Sequence, residues 1–149
     1  MSFFDTINED LKQAMKAKDK VKLQVLRTIK KNFLEAKTAP GANNELTDEK
    51  ALQIIQKLVK QGKDSAAIYT EQNREDLSKE ELEQVDILEN YLPKQLSEQE
   101  LETEVKAIIA DLGASSMKDM GQVMAQATKD LAGRADGKSI SNKVRALLA

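Results

Sequence analysis

The chain has 149 residues, of which 40% are hydrophobic and 32% charged, and its formal net charge is −2. This composition is typical of a folded globular protein rather than a disordered one. Aromatic residues make up only 3% and tryptophan is absent, so the core must consist of Leu, Ile, Val, Met and Ala, which favours packed helices over sheets.

Two missing residue types restrict the chemistry. Without cysteine there is no disulfide, no thiolate nucleophile and no Cys-ligated zinc. Without histidine the commonest general base and transition-metal ligand are also lost. We therefore expect a binding protein without a self-sufficient active site, and we predict no catalytic residue, no metal and no cofactor.

Location follows from two further patterns. No segment approaches the roughly 20 apolar residues that a membrane span needs, and no secretory signal peptide is recognisable. We therefore expect a cytoplasmic protein with no membrane partner.

The first two predicted helices follow from the spacing of apolar residues. Ile7, Leu11 and Met15 recur every four residues and predict one buried stripe. The second stripe comprises Val25, Leu26, Ile29 and Phe33. Beyond it, the Pro40-Gly41 pair breaks the helical pattern, so residues 38–45 are predicted to form a loop.

The third and fourth predicted helices follow that loop. Thr47 is the expected N-cap of the third, whose stripe comprises Leu52, Ile55, Leu58, Val59, Ala66 and Tyr69. Gly62 lies on this stripe, where it costs about 1 kcal/mol relative to alanine unless a neighbouring helix needs the space. The fourth stripe comprises Leu77, Leu82, Val85, Leu88 and Leu92. This helix is predicted to end at Pro93, because the residue before a proline is pushed out of the helical region.

Three shorter helices are predicted beyond the proline. Ser97 and Glu100 form a capping box for the first, each satisfying a free backbone N–H group. Ser115 or Ser116 starts the second, as a helix cap rather than a nucleophile. The second helix carries three methionines, Met117, Met120 and Met124. We expect them to fill the core, an adaptable binding face being the alternative.

These elements predict an all-α, multihelical fold in two parts. The larger N-terminal helical part is expected to span residues 1–93, and the small C-terminal three-helix part residues 97–149. The smaller part is near the lower size limit for an independent core. It should therefore lean on the N-terminal part or on a partner.

Charge is distributed unevenly along the chain. Residues 1–38 carry nine basic and five acidic side chains, and residues 113–149 carry six and three, whereas residues 71–104 carry three and twelve. The two basic regions can form a surface for a polyanion. Alternatively they pair with the acidic middle, which the scarcity of aromatic residues for base stacking favours.

The connection between the last two helices has the sequence GRADGK. Gly133 can adopt the left-handed conformation that ends a helix, and Asp136, followed by Gly137, can cap the next one. Arg134 and Lys138 then project beside a helix N-terminus, which favours an anion. The loop thus predicts a phosphate-binding corner, the alternative being an ordinary helix connection with exposed basic side chains.

Several motifs, taken in order along the chain, resemble the YqeY family. They are Val25-Leu26-Arg27, Asn73-Arg74-Glu75-Asp76-Leu77, Tyr91-Leu92-Pro93, Gly113-Ala114 with Met117-Lys118-Asp119-Met120-Gly121, and Gly133-Arg134-Ala135-Asp136-Gly137-Lys138. Proteins of this family share their helical fold with the tail of the B subunit of the glutamine-dependent Asp/Glu-tRNA amidotransferase, as the GatB/YqeY domain. The resemblance covers essentially the whole chain.

The resemblance implies a link to tRNA. In the amidotransferase the tail helps to hold the tRNA, while the chemistry belongs to another domain and another subunit. We therefore expect a tRNA-associated accessory protein that is non-catalytic by itself, with tRNA or a tRNA-modifying or aminoacylating enzyme as its partner. The side chains predicted to contact nucleic acid are Lys118, Arg134, Lys138, Lys143 and Arg145. The sequence indicates no oligomeric state.

Two alternatives stay open. One is a protein–protein adaptor that docks through the small domain or through the acidic residues 71–104. The other is carbon–nitrogen ligase activity with glutamine as amide donor, a label that proteins of this family often carry. This sequence also departs from the family in the third helix, which usually has two adjacent arginines where Gly62 and Lys63 stand here. A tRNA contact through this helix is therefore in doubt.

Overall fold

A computed structural model describes residues 2–149, and within this range the chain forms seven α-helices and no β-strand. The helices are α1 (Phe3–Ala17), α2 (Lys20–Lys37), α3 (Asp48–Glu71), α4 (Glu75–Glu89), α5 (Glu98–Leu112), α6 (Met120–Asp130) and α7 (Gly137–Leu148). A short 3₁₀-helix, Met117–Asp119, leads directly into α6. The prediction of an all-α fold is confirmed. None of the helices within residues 2–149 is long and apolar enough to cross a membrane.

Contacts between Cα atoms divide the chain into two compact units. The N-terminal unit ends at Leu92 and the C-terminal unit begins at Pro93. Each unit has its own cluster of buried apolar side chains, so each has a separate core.

The core of the N-terminal unit is assembled from α1 to α4. Leu26, Ile29 and Phe33 on α2 are fully buried and pack with apolar side chains from the other three helices. Beyond α4, the hydroxyl of Tyr91 donates a hydrogen bond to the Asp10 carboxylate on α1. This bond ties the end of the unit back to its first helix.

Helices α3 and α4 approach each other closely at Gly62. A Cβ atom built at this position would lie 2.5 Å from Cγ2 of Val85 on α4, well inside van der Waals contact. The neighbouring helix therefore needs the space that the missing side chain leaves. On the same pair of helices the hydroxyl groups of Thr70 and Ser78 form a 2.9 Å hydrogen bond, which provides a partner for the buried Ser78 side chain.

The buried faces of α1 and α4 differ from the predicted stripes. On α1, Ala14 is buried and Met15 is exposed. Ala14 follows the buried Ile7 by seven residues, almost two full turns, and so lies on the same side, whereas Met15 follows by eight and lies about 80° round the helix. On α4, Leu82 lies about 60° round the helix from the buried Val85 and is 46% exposed.

The end of α4 also lies earlier than predicted. The helix stops at Glu89 rather than at the proline. The N–H groups of Tyr91 and Leu92 donate to carbonyls three residues back, those of Leu88 and Glu89. The last turn is thus tightened into a 3₁₀ geometry before the proline is reached.

In the C-terminal unit, Ser97 caps α5 as predicted, whereas Ser116 caps the 3₁₀-helix and α6 itself begins only at Met120. Ser97 and Glu100 form the capping box that begins α5, and the Ser116 hydroxyl accepts from the N–H of Lys118. Of the three methionines, Met120 and Met124 pack against the core. Met117 is 43% exposed, because it lies on the 3₁₀-helix rather than on α6, so the core prediction is wrong for this residue.

Candidate nucleic-acid interface

The loop between α6 and α7 is shaped by its glycine and its aspartate. Gly133 is buried and has φ of 76°, a left-handed conformation that a side chain would disfavour. The Asp136 carboxylate accepts a 2.6 Å hydrogen bond from the N–H of Ser139, so it caps the helix that starts at Gly137. Along the chain, Arg134 precedes the capping residue Asp136 and Lys138 follows it.

The backbone of this loop holds the segment that precedes α5. The carbonyl of Gly133 accepts a 2.6 Å hydrogen bond from the Gln95 side-chain amide. The carbonyl of Arg134 accepts from the N–H of Leu96 at 2.9 Å. The loop therefore has a structural role within the C-terminal unit that depends on its backbone, whatever its side chains bind.

Two of the predicted phosphate contacts already face carboxylates of α5. Arg134 Nη2 lies 3.7 Å from an oxygen of Glu104. Lys143 forms an ion pair with Glu98, and its own side chain is only 16% exposed. The hydrogen bond that Lys143 donates to the Glu98 carboxylate raises the pKa of Lys143 above its ordinary value. An incoming phosphate would have to compete with these carboxylates.

The other three predicted contacts are exposed. Within residues 2–149, Lys118, Lys138 and Arg145 form no ion pair. Lys138 and Arg145 are seven residues apart on α7 and so lie on one face, about 10 Å apart along the axis. These two exposed side chains are turned about 100–120° round the helix from the buried Val144, and we call the face that they share the outer face of α7. Lys118 lies on the 3₁₀-helix, so it does not continue this face.

Positions 62 and 63 on α3 provide fewer phosphate contacts than the two adjacent arginines that are usual in the family. Gly62 faces Val85 at the contact of α3 with α4. The amino group of Lys63 lies 3.8 Å from a carboxylate oxygen of Glu89 on α4. Both positions are therefore directed towards the neighbouring helix.

The basic side chains of α2 differ from Arg134 and Lys143, which face carboxylates of α5. They are Lys20, Lys22, Arg27, Lys30, Lys31 and Lys37, against a single acidic residue on this helix, Glu35. In the described part of the chain none of them forms an ion pair, although the Lys37 amino group lies 4.3 Å from the centroid of the Phe4 ring. Ion pairs with acidic residues thus neutralise Arg134 and Lys143, but they do not neutralise the basic side chains of α2.

Residues 2–149 also contain no group of three or more Asp or Glu side chains placed to hold a metal ion.

The chain is similar to several fungal proteins named altered inheritance of mitochondria protein 41, mitochondrial. It is 35% identical over 124 residues to the protein of Vanderwaltozyma polyspora, covering 76% of this chain and 64% of that protein. It is 31% identical to the Pyrenophora tritici-repentis protein, covering 93% and 77%, and 31% identical to the Kluyveromyces lactis protein, covering 94% and 72%. The chain thus spans less than two thirds of the first relative and about three quarters of the other two.

These names contradict the expected cytoplasmic location, because each relative is named as mitochondrial. The prediction relied on the lack of an apolar span and of a secretory signal. Neither feature distinguishes the cytosol from the interior of an organelle, since a protein in either aqueous compartment needs neither. The prediction of a cytoplasmic protein is wrong.

The family is shown by a match along almost the full chain. The model of the family described as Yqey-like protein matches residues 4–148, which includes all seven helices apart from the first residue of α1. The ordered motifs from Val25-Leu26-Arg27 to the GRADGK loop therefore identified the right family, and this chain belongs to the YqeY family.

Proposed function

We propose that this protein is a non-catalytic accessory protein that binds tRNA through the outer face of α7. The observation that carries the proposal is the pair Lys138 and Arg145, two exposed basic side chains on one helical face without a carboxylate partner within residues 2–149. Exposed lysine and arginine supply most of the affinity of proteins for nucleic-acid backbones, because each neutralised phosphate releases counterions. Lys118 is a further exposed contact of the same kind.

The paired residues are expected to contribute less. Arg134 and Lys143 can contact a phosphate only by breaking their ion pairs with Glu104 and Glu98. The loss of these ion pairs offsets much of the attraction to the phosphate. The loop between α6 and α7 then serves mainly to set the start of α7. The binding surface that we propose therefore lies on the helix that follows the loop and not in the loop itself.

A binding titration of the full chain with bulk tRNA at low ionic strength tests the proposal. The double variant Lys138→Ala with Arg145→Ala should bind about tenfold more weakly than the wild type, because two phosphate contacts are lost. Its matched control is Lys94→Ala with Lys129→Ala, which removes the same net charge from two exposed lysines of the C-terminal unit that form no ion pair within the described residues. Equal weakening in the two double variants would show that binding depends on net charge and would overturn the proposed face.

The same protein preparation distinguishes the alternatives. A ligase would form amide on Glu-tRNA in the presence of ATP and glutamine, and our proposal predicts no product from the isolated chain. If the protein is an adaptor, one stoichiometric protein partner should be recovered with it after nuclease treatment, and it should not bind tRNA. Either result would contradict a non-catalytic tRNA-binding role.

A further inference from the structure

One side of α2 carries basic residues and leucines in a single row. Lys20, Leu23, Arg27, Lys31 and Leu34 follow one another at intervals of three or four residues, so they lie within about 80° of one another round the helix. The row extends about 21 Å along the axis, because each residue rises about 1.5 Å. We call these five residues the basic stripe of α2. They form one surface, since a single helix carries all of them.

The basic stripe of α2 faces away from the core of the N-terminal unit. The buried Ile29 and Phe33 are turned about 160° and 120° round the helix from Arg27. Arg27 and Lys31 are exposed, and Leu34 is 42% exposed. The basic side chains of the stripe form no ion pair within residues 2–149. Both the charge and the apolar surface of the stripe are therefore available to a partner.

Two shallow surface grooves run along the stripe and share Arg27 and Lys31. Leu23 lines the first groove. Leu34 lines the second groove together with Leu11 of α1. Each groove thus combines apolar and basic side chains, which suits a partner whose own apolar and acidic side chains are adjacent.

We propose that the basic stripe of α2 docks an acidic amphipathic helix of another protein. Such a helix repeats its anchoring side chains at intervals of three and four residues, which is also the spacing of the stripe. Its carboxylates contact the three basic residues of the stripe, and its apolar side chains cover the two leucines. Opposite charges orient the encounter and exclude wrong partners, while burial of the leucines removes apolar surface from water.

Other anionic partners would use less of this surface. An RNA backbone would contact the basic side chains but would leave both leucines without a role, and the stripe contains no aromatic residue on which a base could stack. A membrane-surface helix buries a continuous apolar face, whereas Arg27 and Lys31 occupy the middle of this stripe. A protein helix uses the charges and the leucines together.

Peptide selection on the immobilised full chain identifies the ligand that the stripe prefers. The library consists of random peptides of about 16 residues, long enough as helices to span the stripe. Enriched peptides should combine Asp or Glu with Leu or Ile at intervals of three and four residues. Arg27→Glu with Lys31→Glu should weaken their binding about tenfold or more, because like charges then meet. Lys57→Glu with Lys60→Glu on α3 is the matched control and should leave the affinity unchanged.

Two further measurements separate docking from bare charge attraction and from unfolding. Leu34→Ala should weaken peptide binding about fivefold, whereas Ile68→Ala on α3, which removes a side chain that is 53% exposed, should not. A peptide with lysine in place of every acidic residue should bind the variant Arg27→Glu with Lys31→Glu and not the wild type. An unfolded variant could not gain this binding.

Several results would overturn the docking site. They are the absence of an enriched peptide family, peptides whose affinity survives the reversal of Arg27 and Lys31, and peptides that bind Leu34→Ala as tightly as the wild type. If the same reversal lowers the affinity for tRNA about tenfold while no peptide is selected, the stripe belongs to an RNA surface. Lys138→Ala with Arg145→Ala should leave peptide binding unchanged, so the docking site and the tRNA-binding face fail independently.

Discussion

Replacing Gly62 with alanine tests whether the close approach of α3 and α4 is required for stability. The added Cβ would lie 2.5 Å from Cγ2 of Val85. Val85 is only 2% exposed and, as a β-branched residue in a helix, has one strongly preferred rotamer, so the helices must move apart to relieve the overlap. Such overpacking costs about 1–3 kcal/mol, while alanine gains about 1 kcal/mol over glycine inside a helix. We expect a net loss of about 1 kcal/mol in the free energy of unfolding.

Urea unfolding followed by circular dichroism measures this loss, and a second glycine provides the control. Gly121 lies in α6 and would meet no atom within 4 Å, so Gly121→Ala should be neutral or stabilising by up to about 1 kcal/mol. Val85→Ala should cost less in the Gly62→Ala background than in the wild type, by about 1 kcal/mol, because the two side chains then no longer overlap. If Gly62→Ala is as stabilising as Gly121→Ala, the packing of α3 against α4 does not need the space that the glycine leaves.

Two further substitutions each test a contact within one of the two units. Tyr91→Phe should lower the free energy of unfolding by about 1–2 kcal/mol, because it removes the donor to the Asp10 carboxylate, whereas Tyr69→Phe should have little effect. Burial, and then the hydrogen bond to Asp10, raise the pKa of Tyr91 above its ordinary value of 10.0, so this contribution is fully present below about pH 10 and is lost as the pH rises beyond it. Alkaline urea titrations should therefore show a shallower decline in Tyr91→Phe than in the wild type, and equal declines would contradict the assignment. Asp136→Ala should cost about 1 kcal/mol through loss of the α7 cap, while Asp111→Ala, an exposed change on α5, should stay within about 0.5 kcal/mol, and equal losses would exclude capping as the cause.

Features that depend on neighbouring residues could be predicted from the sequence. The capping box of Ser97 and Glu100 is formed by side chains and N–H groups three residues apart, so its pattern is visible in any short window. The cap at Thr47 follows the same rule. Helix type and number follow from apolar spacing in the same way.

The precise buried face of a helix was harder to predict. Met15 and Leu82 lie at the margins of their stripes, and local spacing assigns such residues to either side. Which side is buried depends on the direction from which the neighbouring helix packs. That direction is a property of the tertiary fold and has no signal in a single helix.

The charge partners of the candidate site could not be predicted at all. Arg134 and Lys143 are paired with Glu104 and Glu98, residues far away along the chain. Their proximity results from the packing of α5 against α7 and the docking of the α6–α7 loop on the segment before α5. Sequence reasoning treated all five basic side chains as equivalent, whereas the structure leaves only three of them without a carboxylate partner within residues 2–149.

The salt dependence of tRNA binding measures how many phosphate contacts hold the tRNA. If phosphate contacts from the outer face of α7 carry the binding, the wild-type affinity must fall as salt rises, and the logarithmic slope must be shallower by about two in Lys138→Ala with Arg145→Ala. The control variant Lys94→Ala with Lys129→Ala should keep the wild-type slope. Binding by the wild type that is absent or insensitive to salt, or equal slopes in all three proteins, would rule out binding through the outer face of α7.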